Sequence, residues 1–283
     1  MVFVNKLIFE WFKLLNNNKD QIQSEWLKKA DLLTETLPFM KRYANKVIVV
    51  KFGGNAMGKK EYVTSFANDI VLLQQVGMLP VVVHGGGPQI GEMLSKLQIK
   101  TEFINGLRVT DSATIDVVEM VLSGVTNKSI VTAISNSGAK SVGISGKDGN
   151  LITAKRLSKV GDNSDSNVEK AIDLGYVGEP EKIDPQVINA LINEKMIPVI
   201  APVGMGNDGL TYNINADTAA GAISAAMKAS RMIMLTDVTG VLDKNDNLIP
   251  ELTIDQALEL IEKKVVVGGM IPKIKTCIDA VQG

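Results

Sequence analysis

The chain has 283 residues, of which 45% are apolar and 22% are charged, and its formal net charge is −1. This composition is ordinary for a globular protein, and the charge balance excludes the basic excess that nucleic-acid binding requires. A single cysteine, Cys277, and a single histidine, His84, exclude an intramolecular disulfide and a zinc site made of four cysteine or histidine ligands. Any chemistry therefore rests mostly on lysine, arginine, acidic and amide side chains and on backbone N–H groups.

The N-terminal segment is predicted to form two helices, over residues 5–15 and 21–33. The apolar residues of the first recur at helical spacing on one face: Leu7, Ile8, Trp11, Phe12, Leu14 and Leu15. We predict that residues 1–35 form an arm that binds another subunit, the alternative being a helix packed on its own domain. Charged residues interrupt this stretch, and no apolar run approaches about 18 residues, so we expect neither a signal peptide nor a transmembrane helix.

From residue 46 onwards, predicted strands and helices alternate. Strands are predicted at 47–50, 79–83, 140–144, 151–155, 196–201 and 231–235. Helices are predicted at 59–76, 88–97, 113–136, 185–194, 216–228, 254–262 and 270–281. The segment 157–184, rich in turn-forming residues, is predicted to form an irregular flap or hairpins. The alternation indicates an α/β fold, a three-layer α/β/α sandwich with a mainly parallel central sheet.

A first glycine-rich turn follows the strand at 47–50. The run from Gly53 to Lys60 nearly matches a P-loop, but Lys60 replaces the hydroxyl residue that binds Mg²⁺, which disfavours a P-loop ATPase. Lys51 precedes the glycines, and its ammonium group could reach a phosphate held by this turn. The alternative is that Lys51 keeps an edge strand soluble.

A second glycine-rich turn, His84-Gly85-Gly86-Gly87-Pro88, follows the strand at 79–83. Gly85, Gly87 and Gly91 resemble a dinucleotide-binding fingerprint, but one residue too many separates the last two glycines. No clear acidic residue ends the next strand, so a dehydrogenase is a weak alternative. Both turns lie between a strand and a helix, where open α/β sheets bind ligands and backbone N–H groups can hold an anion. We expect His84 to be a hydrogen-bonded structural residue rather than a base.

Three further segments carry polar residues that suit ligand binding. Arg108, in a loop before a helix, can bind a carboxylate with two hydrogen bonds, although a surface salt bridge is the alternative. The polar residues of Asn213-Ile214-Asn215-Ala216-Asp217 alternate, so they would share one face of a strand, or one of them would cap the following helix. Lys273 follows the turn at 268–269 in the first turn of a helix, where a cation is unfavourable unless an anion binds nearby.

Together these runs resemble those of the acetylglutamate kinases of the amino-acid kinase family, over about residues 36–283. The matching runs are 51–55, 84–88, 105–110, 213–217, 236–241 and 268–273. Carbamate, aspartate, uridylate and glutamate 5-kinases share the lysine-glycine start, whereas the runs at 105–110 and 268–273 indicate the acetylglutamate branch.

The resemblance implies ATP-dependent phosphorylation of the side-chain carboxylate of N-acetyl-L-glutamate. It implies that Lys51 and Lys273 contact the transferring phosphoryl group while Asp217 orients both lysines. The implied acceptor-binding residues are Gly86, Gly87, Arg108, Asn213 and Asn215, and those bordering the phosphates and the nucleotide are Gly53, Gly54, Asp237, Gly240, Gly268 and Gly269. Mg²⁺ would be carried by the ATP phosphates, without metal ligands from the protein.

The resemblance also implies an organisation and an environment. Residues 1–35 would be the oligomerisation arm, 36–200 the acceptor-substrate lobe and 201–283 the nucleotide-binding lobe, which ends short of the family pattern. The implied assembly is a hexamer, a trimer of dimers as in the arginine-sensitive enzymes of cyanobacteria and plastids, with a PII-type signalling protein as a candidate partner and without nucleic acid or membrane. The implied compartment is the plastid stroma or the bacterial cytoplasm. Two alternatives stay open: a related kinase acting on another carboxylate or on carbamate, and an inactive, truncated paralogue that only binds.

Overall fold

The computed structural model describes residues 19–104, 106–160, 171–236 and 238–282. By its internal contacts the chain forms two units, Met1–Ala44 and Asn45–Gly283. The helix predicted at 5–15 lies outside the described residues.

The first unit contains helix α1, Lys19–Tyr43, which is longer than the helix predicted at 21–33. The predicted boundary between arm and acceptor lobe, after residue 35, lies within this helix. Several large apolar side chains of α1 are exposed: Trp26, Leu27, Leu32, Leu33, Leu37 and Phe39. Exposed apolar side chains in such number are typical of a surface that another chain covers, and the oligomerisation arm stays a prediction.

The second unit contains strands that match most of the predicted ones. The strands are β1 Val47–Phe52, β2 Leu79–His84, β3 Phe103–Ile104, β4 Leu107–Arg108, β5 Ser141–Ser145, β6 Ile152–Val160, β7 Ala171–Ile183, β8 Ile197–Ala201, β9 Val203–Gly206, β10 Thr211–Ile214 and β11 Arg231–Met234. The helices are α2 Lys60–Gln75, α3 Gly87–Lys96, α4 Ser112–Glu119, α5 Asn127–Asn136, α6 Gln186–Asn193, α7 Ala216–Ala226, α8 Ile254–Glu262 and α9 Met270–Gln282.

A five-stranded sheet with the order β11-β1-β2-β8-β5 forms the centre of this unit, and its neighbouring strands are parallel. The prediction of a mainly parallel sheet is therefore confirmed. β1 and β2 are almost wholly buried, and their β-branched residues suit strands covered on both faces. Because the strands are parallel, their carboxyl ends share one edge of the sheet, and Lys51 and His84 lie at that edge.

Helices cover both faces of the sheet. On one face, Phe52 of β1 stacks on Phe66 of α2 with 3.9 Å between the ring centroids. On the other face, Val49 packs in one apolar cluster with Ile188 of α6 and Ala219 of α7. This arrangement is the three-layer sandwich that the alternation of strands and helices predicted.

Strands β6, β7, β9 and β10 close a small barrel. In its described part, the segment predicted as an irregular flap or hairpins forms the long antiparallel pair of β6 and β7. β9 was not predicted, because its glycines suggest a loop, and β10 was predicted only as one alternative for the run 213–217. In the structure a Cβ added to Gly204 would lie 2.8 Å from Cδ1 of Ile214, so glycine here permits close packing within the barrel.

The segment predicted as one helix at 113–136 consists of α4, α5 and a π-helical turn, Met120–Thr126, between them. By length and composition this stretch could cross a membrane, since its mean hydropathy reaches 1.3 over its most apolar part. In the structure, Val118, Leu122 and Ile134 are buried in the core of the unit, as they would be in a core helix of a globular protein.

Candidate active site

The two predicted glycine turns lie side by side at the carboxyl edge of the sheet. The Gly85 N–H donates a hydrogen bond of 2.8 Å to the carbonyl oxygen of Phe52, so the turn after β2 is tied to the end of β1. Gly54 has a φ of +71°, a conformation that favours glycine. A Cβ added to Gly53 would lie 3.1 Å from Nζ of Lys51. Glycine at these positions therefore leaves space beside the Lys51 ammonium group.

Asp217 joins the two lysines that sequence analysis singled out. Its Oδ1 lies 2.9 Å from Nζ of Lys51, and its Oδ2 accepts a hydrogen bond of 3.0 Å from Nζ of Lys273. Lys51 comes from β1, Asp217 from the first turn of α7 and Lys273 from the first turn of α9. The side chain of Lys51 is 9% exposed and that of Lys273 is 26% exposed, so the cluster is sheltered but still open to a ligand.

The electrostatics of this cluster favour an ionised carboxylate. Burial alone would raise the pKa of Asp217, but the ammonium groups of Lys51 and Lys273 outweigh it and hold the pKa below its usual value. Two ammonium groups and one carboxylate leave one net positive charge. Such a cluster suits an anionic group, a phosphate above all, because charge-assisted hydrogen bonds to anions are the strongest that side chains make.

A cavity of about 180 Å³ lies next to this cluster, since its lining includes Ala216, the residue before Asp217. Its walls come from the start of α3, the β3–β4 pair, the π-helical turn, the barrel and the start of α7. They comprise Gly86, Gly87, Ile90, Phe103, Gly106, Leu107, Arg108, Leu122, Val177, Pro202, Asn213, Ile214, Asn215 and Ala216. The five residues predicted to bind the acceptor, namely Gly86, Gly87, Arg108, Asn213 and Asn215, all line it. The structure thus brings these motifs together, while the role of each residue stays a prediction.

Arg108 is held rigidly in the wall of this cavity. Its Nη1 donates to Oγ1 of Thr101 at 2.7 Å, its Nη2 donates to the carbonyl oxygen of Gly87 at 3.0 Å, and its guanidinium lies 4.5 Å from the ring centroid of Phe103. Burial lowers the pKa of Arg108, but an arginine side chain is not deprotonated in proteins, so Arg108 stays charged. Because five N–H donors are present on a guanidinium, the two protein contacts leave others for a ligand.

The run 213–217 changes structure halfway along, so its polar residues do not share one face of a strand. Asn213 lies on β10, and its Nδ2 donates to Oγ1 of Thr110 at 3.4 Å. Asn215 is the N-cap of α7, where its Oδ1 accepts hydrogen bonds from the N–H groups of Asp217 and Thr218 at 2.9 and 3.2 Å. The capping alternative is therefore correct for Asn215, and the cap turns Asp217 towards the lysines.

Leu122 also lines this site, although no motif in the sequence indicated it. A Cβ added to Gly86 would lie 2.5 Å from Cδ2 of Leu122, so the π-helical turn presses directly against the second glycine turn. The sequence gives no signal for this contact, because helical periodicity shows that a leucine is buried but not which neighbour it meets. The expected hydrogen bonding of His84 is observed, with Nδ1 lying 2.8 Å from the carbonyl oxygen of Gly85.

The residues predicted to border the nucleotide are described only in part. Asp237 lies outside the described residues. Gly240, with a φ of +148°, opens a hairpin whose turn is held by the Asp243 side chain, which accepts from the N–H groups of Asn245 and Asn247. The pair Gly268 and Gly269 directly precedes α9, whose first turn carries Lys273.

The comparison with known proteins agrees with this geometry. Residues 46–283 match the profile of the family described as "Amino acid kinase family". The chain belongs to the amino acid kinase family. This amino acid kinase is 56% identical over 261 residues to the acetylglutamate kinase of Rhodospirillum centenum, covering 92% of this chain and 86% of that protein. It is 58% identical over 255 residues to the acetylglutamate kinase of Gluconobacter oxydans, covering 90% and 86% of the two chains.

Solved structures share the fold of this amino acid kinase. The crystal structure of smu.665 from Streptococcus mutans UA159 is 31% identical, has a TM-score of 0.69 and covers 83% of this chain and 90% of its own. Together with the family match, this likeness confirms the predicted amino-acid kinase fold. The division into lobes at residue 200 stays a prediction.

Proposed function

We propose that this amino acid kinase transfers a phosphoryl group from ATP to the side-chain carboxylate of N-acetyl-L-glutamate, giving N-acetyl-L-glutamyl 5-phosphate for arginine biosynthesis. One observation carries the proposal. A lysine–aspartate–lysine cluster lies beside a cavity lined by a buried arginine, in a chain 56–58% identical to acetylglutamate kinases.

The chemistry needs placement and neutralisation of charge more than covalent catalysis. An oxygen of the acceptor carboxylate would form a bond to the γ-phosphorus of ATP as the bond to the ADP oxygen breaks. Lys51 and Lys273 would stabilise the charge on the phosphoryl oxygens, and Asp217 holds both ammonium groups in advance so that they need not reorganise during the reaction. Since the nucleophile is already a carboxylate, no general base is required, which agrees with a buried, hydrogen-bonded His84.

The rest of the acceptor would occupy the cavity. The Arg108 guanidinium, fixed by Thr101 and Gly87, would bind the α-carboxylate with its remaining N–H groups. Asn213 and Asn215 would bind the amide of the acetylated nitrogen and the nearby carboxylate. The backbone N–H groups of Gly86 and Gly87 would donate to the reacting carboxylate.

ATP is the phosphoryl donor, as membership of the family implies, and its binding residues are part of the proposal. Gly53 and Gly54 would donate backbone N–H groups to the phosphates, and the segments 236–241 and 268–269 would border the nucleotide. Mg²⁺ would be held by the ATP phosphates and water, because the Asp217 oxygens both face lysines. Among the described residues, no group of three or more His, Cys, Asp or Glu side chains could hold a metal ion.

The assembly and the compartment are finer parts of the proposal. We infer a hexamer, a trimer of dimers joined through the N-terminal arm, and a PII-type signalling protein as a regulatory partner. The relatives are bacterial enzymes, which favours the cytoplasm; the plastid stroma is the alternative.

The proposed function is tested by ADP release in a coupled assay with five acceptors: N-acetyl-L-glutamate, aspartate, glutamate, carbamate and UMP. We expect ADP release to be fastest with N-acetyl-L-glutamate and to be matched by an acyl phosphate that hydroxylamine traps. Faster turnover of another acceptor would establish the related-kinase alternative. ATP binding without turnover of any acceptor would establish the binding paralogue.

A further inference from the structure

A chain of hydrogen bonds leads from the protein interior to the acceptor cavity. His84 is wholly buried at the end of β2, with Nδ1 lying 2.8 Å from the carbonyl oxygen of Gly85 and Nε2 lying 3.2 Å from Nδ2 of Asn127. Asn127 is also wholly buried and begins α5. The mechanism proposed above assigns no task to either side chain.

These contacts decide which ring nitrogen of His84 carries the proton. A carbonyl oxygen only accepts, so Nδ1 must donate to Gly85. Nδ2 of Asn127 also faces the carbonyl oxygens of Val199 at 2.9 Å and Ile144 at 3.3 Å, and its Oδ1 accepts from Nζ of Lys128 at 3.0 Å, so the orientation of the amide is fixed. Because an amide nitrogen only donates, Nε2 of His84 beside it must be the unprotonated nitrogen. Burial lowers the pKa of His84 to about 4, so the neutral ring carries one proton at neutral pH, on Nδ1.

The hydrogen bond to Gly85 also sets the direction of the next N–H group. The Gly85–Gly86 peptide is trans, and in a trans peptide the carbonyl and the following N–H point in opposite directions. With the Gly85 carbonyl held towards His84 in the interior, the Gly86 N–H faces the other way, and Gly86 lines the acceptor cavity. Within the described part of the chain, no carbonyl oxygen accepts a hydrogen bond from this N–H.

We propose that His84 is a positioning residue that aims the Gly86 N–H at the reacting carboxylate, and that Asn127 keeps the His84 proton on Nδ1. The inference rests on the proposed function, which supplies the oxygen that the N–H binds. A peptide between two glycines has little intrinsic preference for one orientation. The hydrogen bond from His84 removes that freedom before the substrate arrives, and a donor fixed in advance stabilises developing charge without reorganisation.

The first test uses the fact that the sequence contains one histidine. In ¹⁵N NMR of enzyme labelled at histidine, without substrate, we expect a protonated Nδ1 and an unprotonated Nε2 at neutral pH. The opposite tautomer would overturn the proposal. This measurement does not depend on which acceptor the enzyme uses, so its failure is distinct from a failure of the proposed function.

The second test compares His84→Leu with His84→Asn. The asparagine amide nitrogen occupies the place of Nδ1 and can still donate to Gly85, whereas leucine cannot. We expect kcat to fall about 10- to 100-fold in His84→Leu and to stay within about threefold of wild type in His84→Asn, with the KM for ATP unchanged in both. Val83→Ala, at the preceding buried position of β2, is the control for lost packing. Wild-type kcat in a folded His84→Leu enzyme, or an equal loss in His84→Asn, would overturn the proposal.

A third variant, Asn127→Asp, gives an answer even if His84→Leu fails to fold. The new carboxylate keeps the size of the side chain and lies beside Lys128, but it can only accept. A neutral His84 would then move its proton to Nε2, while a doubly protonated ring would keep Nδ1–H. We expect kcat, measured with whichever acceptor the wild type turns over, to follow the Nδ1 proton seen by NMR. Wild-type kcat without that proton would overturn the proposal.

Discussion

Lys273, in the first turn of α9, donates a hydrogen bond of 3.0 Å to Asp217, 56 residues earlier in the chain. The other oxygen of the same carboxylate faces Lys51 at 2.9 Å. One aspartate therefore sets the separation of two ammonium groups, and the three side chains together carry one net positive charge. This geometry is the basis of the first two predictions.

Asp217→Asn should lower kcat about 100-fold, because a neutral amide cannot hold two ammonium groups in place for the transition state. Steady-state kinetics with saturating ATP and N-acetyl-L-glutamate measure this. Asp279→Asn, a matched change at an exposed position of α9, should leave kcat unchanged. A kcat close to wild type in Asp217→Asn would show that the lysines do not need their shared partner.

Lys51→Ala and Lys273→Ala should each lower kcat about 10²- to 10³-fold and change KM much less, since each removes a donor to the transferring group. Lys275→Ala is the control for Lys273→Ala, because Lys275 is exposed on the same helix. Near-normal kcat in both Lys51→Ala and Lys273→Ala would refute the catalytic assignment.

Arg108→Lys should raise the KM for N-acetyl-L-glutamate about tenfold or more, because a single ammonium group replaces a planar guanidinium that can bind a carboxylate with two hydrogen bonds. Binding of ATP, measured by calorimetry, should barely change. Arg156→Lys, in the exposed β6–β7 hairpin, is the matched control. If ATP affinity falls as much as acceptor affinity, Arg108 does not belong to the acceptor site.

The stability of the enzyme should decrease as the pH falls below about 6.5, owing to His84. The pKa of its ring is 6.5 in the unfolded chain and about 4 in the folded protein, so between these values the unfolded state binds more protons and stability rises with pH. From pH 7 to pH 5 this histidine should remove about 2 kcal/mol from the free energy of unfolding. Urea unfolding at both pH values, compared between wild type and His84→Asn, isolates this contribution from that of the carboxylates. An equal pH dependence in both proteins would contradict it.

Deleting residues 1–35 should give a smaller oligomer that keeps its activity, as measured by light scattering and ADP release. The boundary between the two units of the chain, after Ala44, and the exposed apolar side chains of α1 motivate this prediction. In the full-length chain, Leu33→Glu should also reduce the mass, whereas Lys28→Glu on the same helix should not. An unchanged mass, or an insoluble product, would mean that the segment belongs to the core or has no role in assembly.

Much of the site could be predicted because of where parallel strands end. Lys51 and the second glycine turn each follow a buried strand, and the carboxyl ends of such strands meet at one edge. The contact of Asp217 with both lysines could not be derived from spacing, since α7 and α9 are placed by tertiary packing. A Cβ added to Gly221 of α7 would lie 2.7 Å from Cγ2 of Thr276 in α9, and no local pattern reports so close an approach.

The rest of the site could not be predicted, because its local composition does not show which structure forms or which residues meet. The glycines of β9 are typical of loops, and the pairing of β9 and β10 depends on closing the barrel with the distant β6 and β7. Leu122, which packs against Gly86, lies in a π-helical turn that the sequence did not predict. Asn127 has the sequence context of an ordinary polar helix residue, although it is wholly buried.

The two lysines that face Asp217 are synthesised at different times, because they lie far apart in the chain. Lys51 leaves the ribosome well before Lys273, which lies on α9, Met270–Gln282. Strand β1 pairs with β2 on one edge and with β11 on the other, so its second edge stays unpaired until β11 is synthesised. A polypeptide that stops before residue 273 lacks one of the two lysines that face Asp217, whatever part of it has already folded. Under the proposed function, a polypeptide released before residue 273 is synthesised should therefore consume no nucleotide.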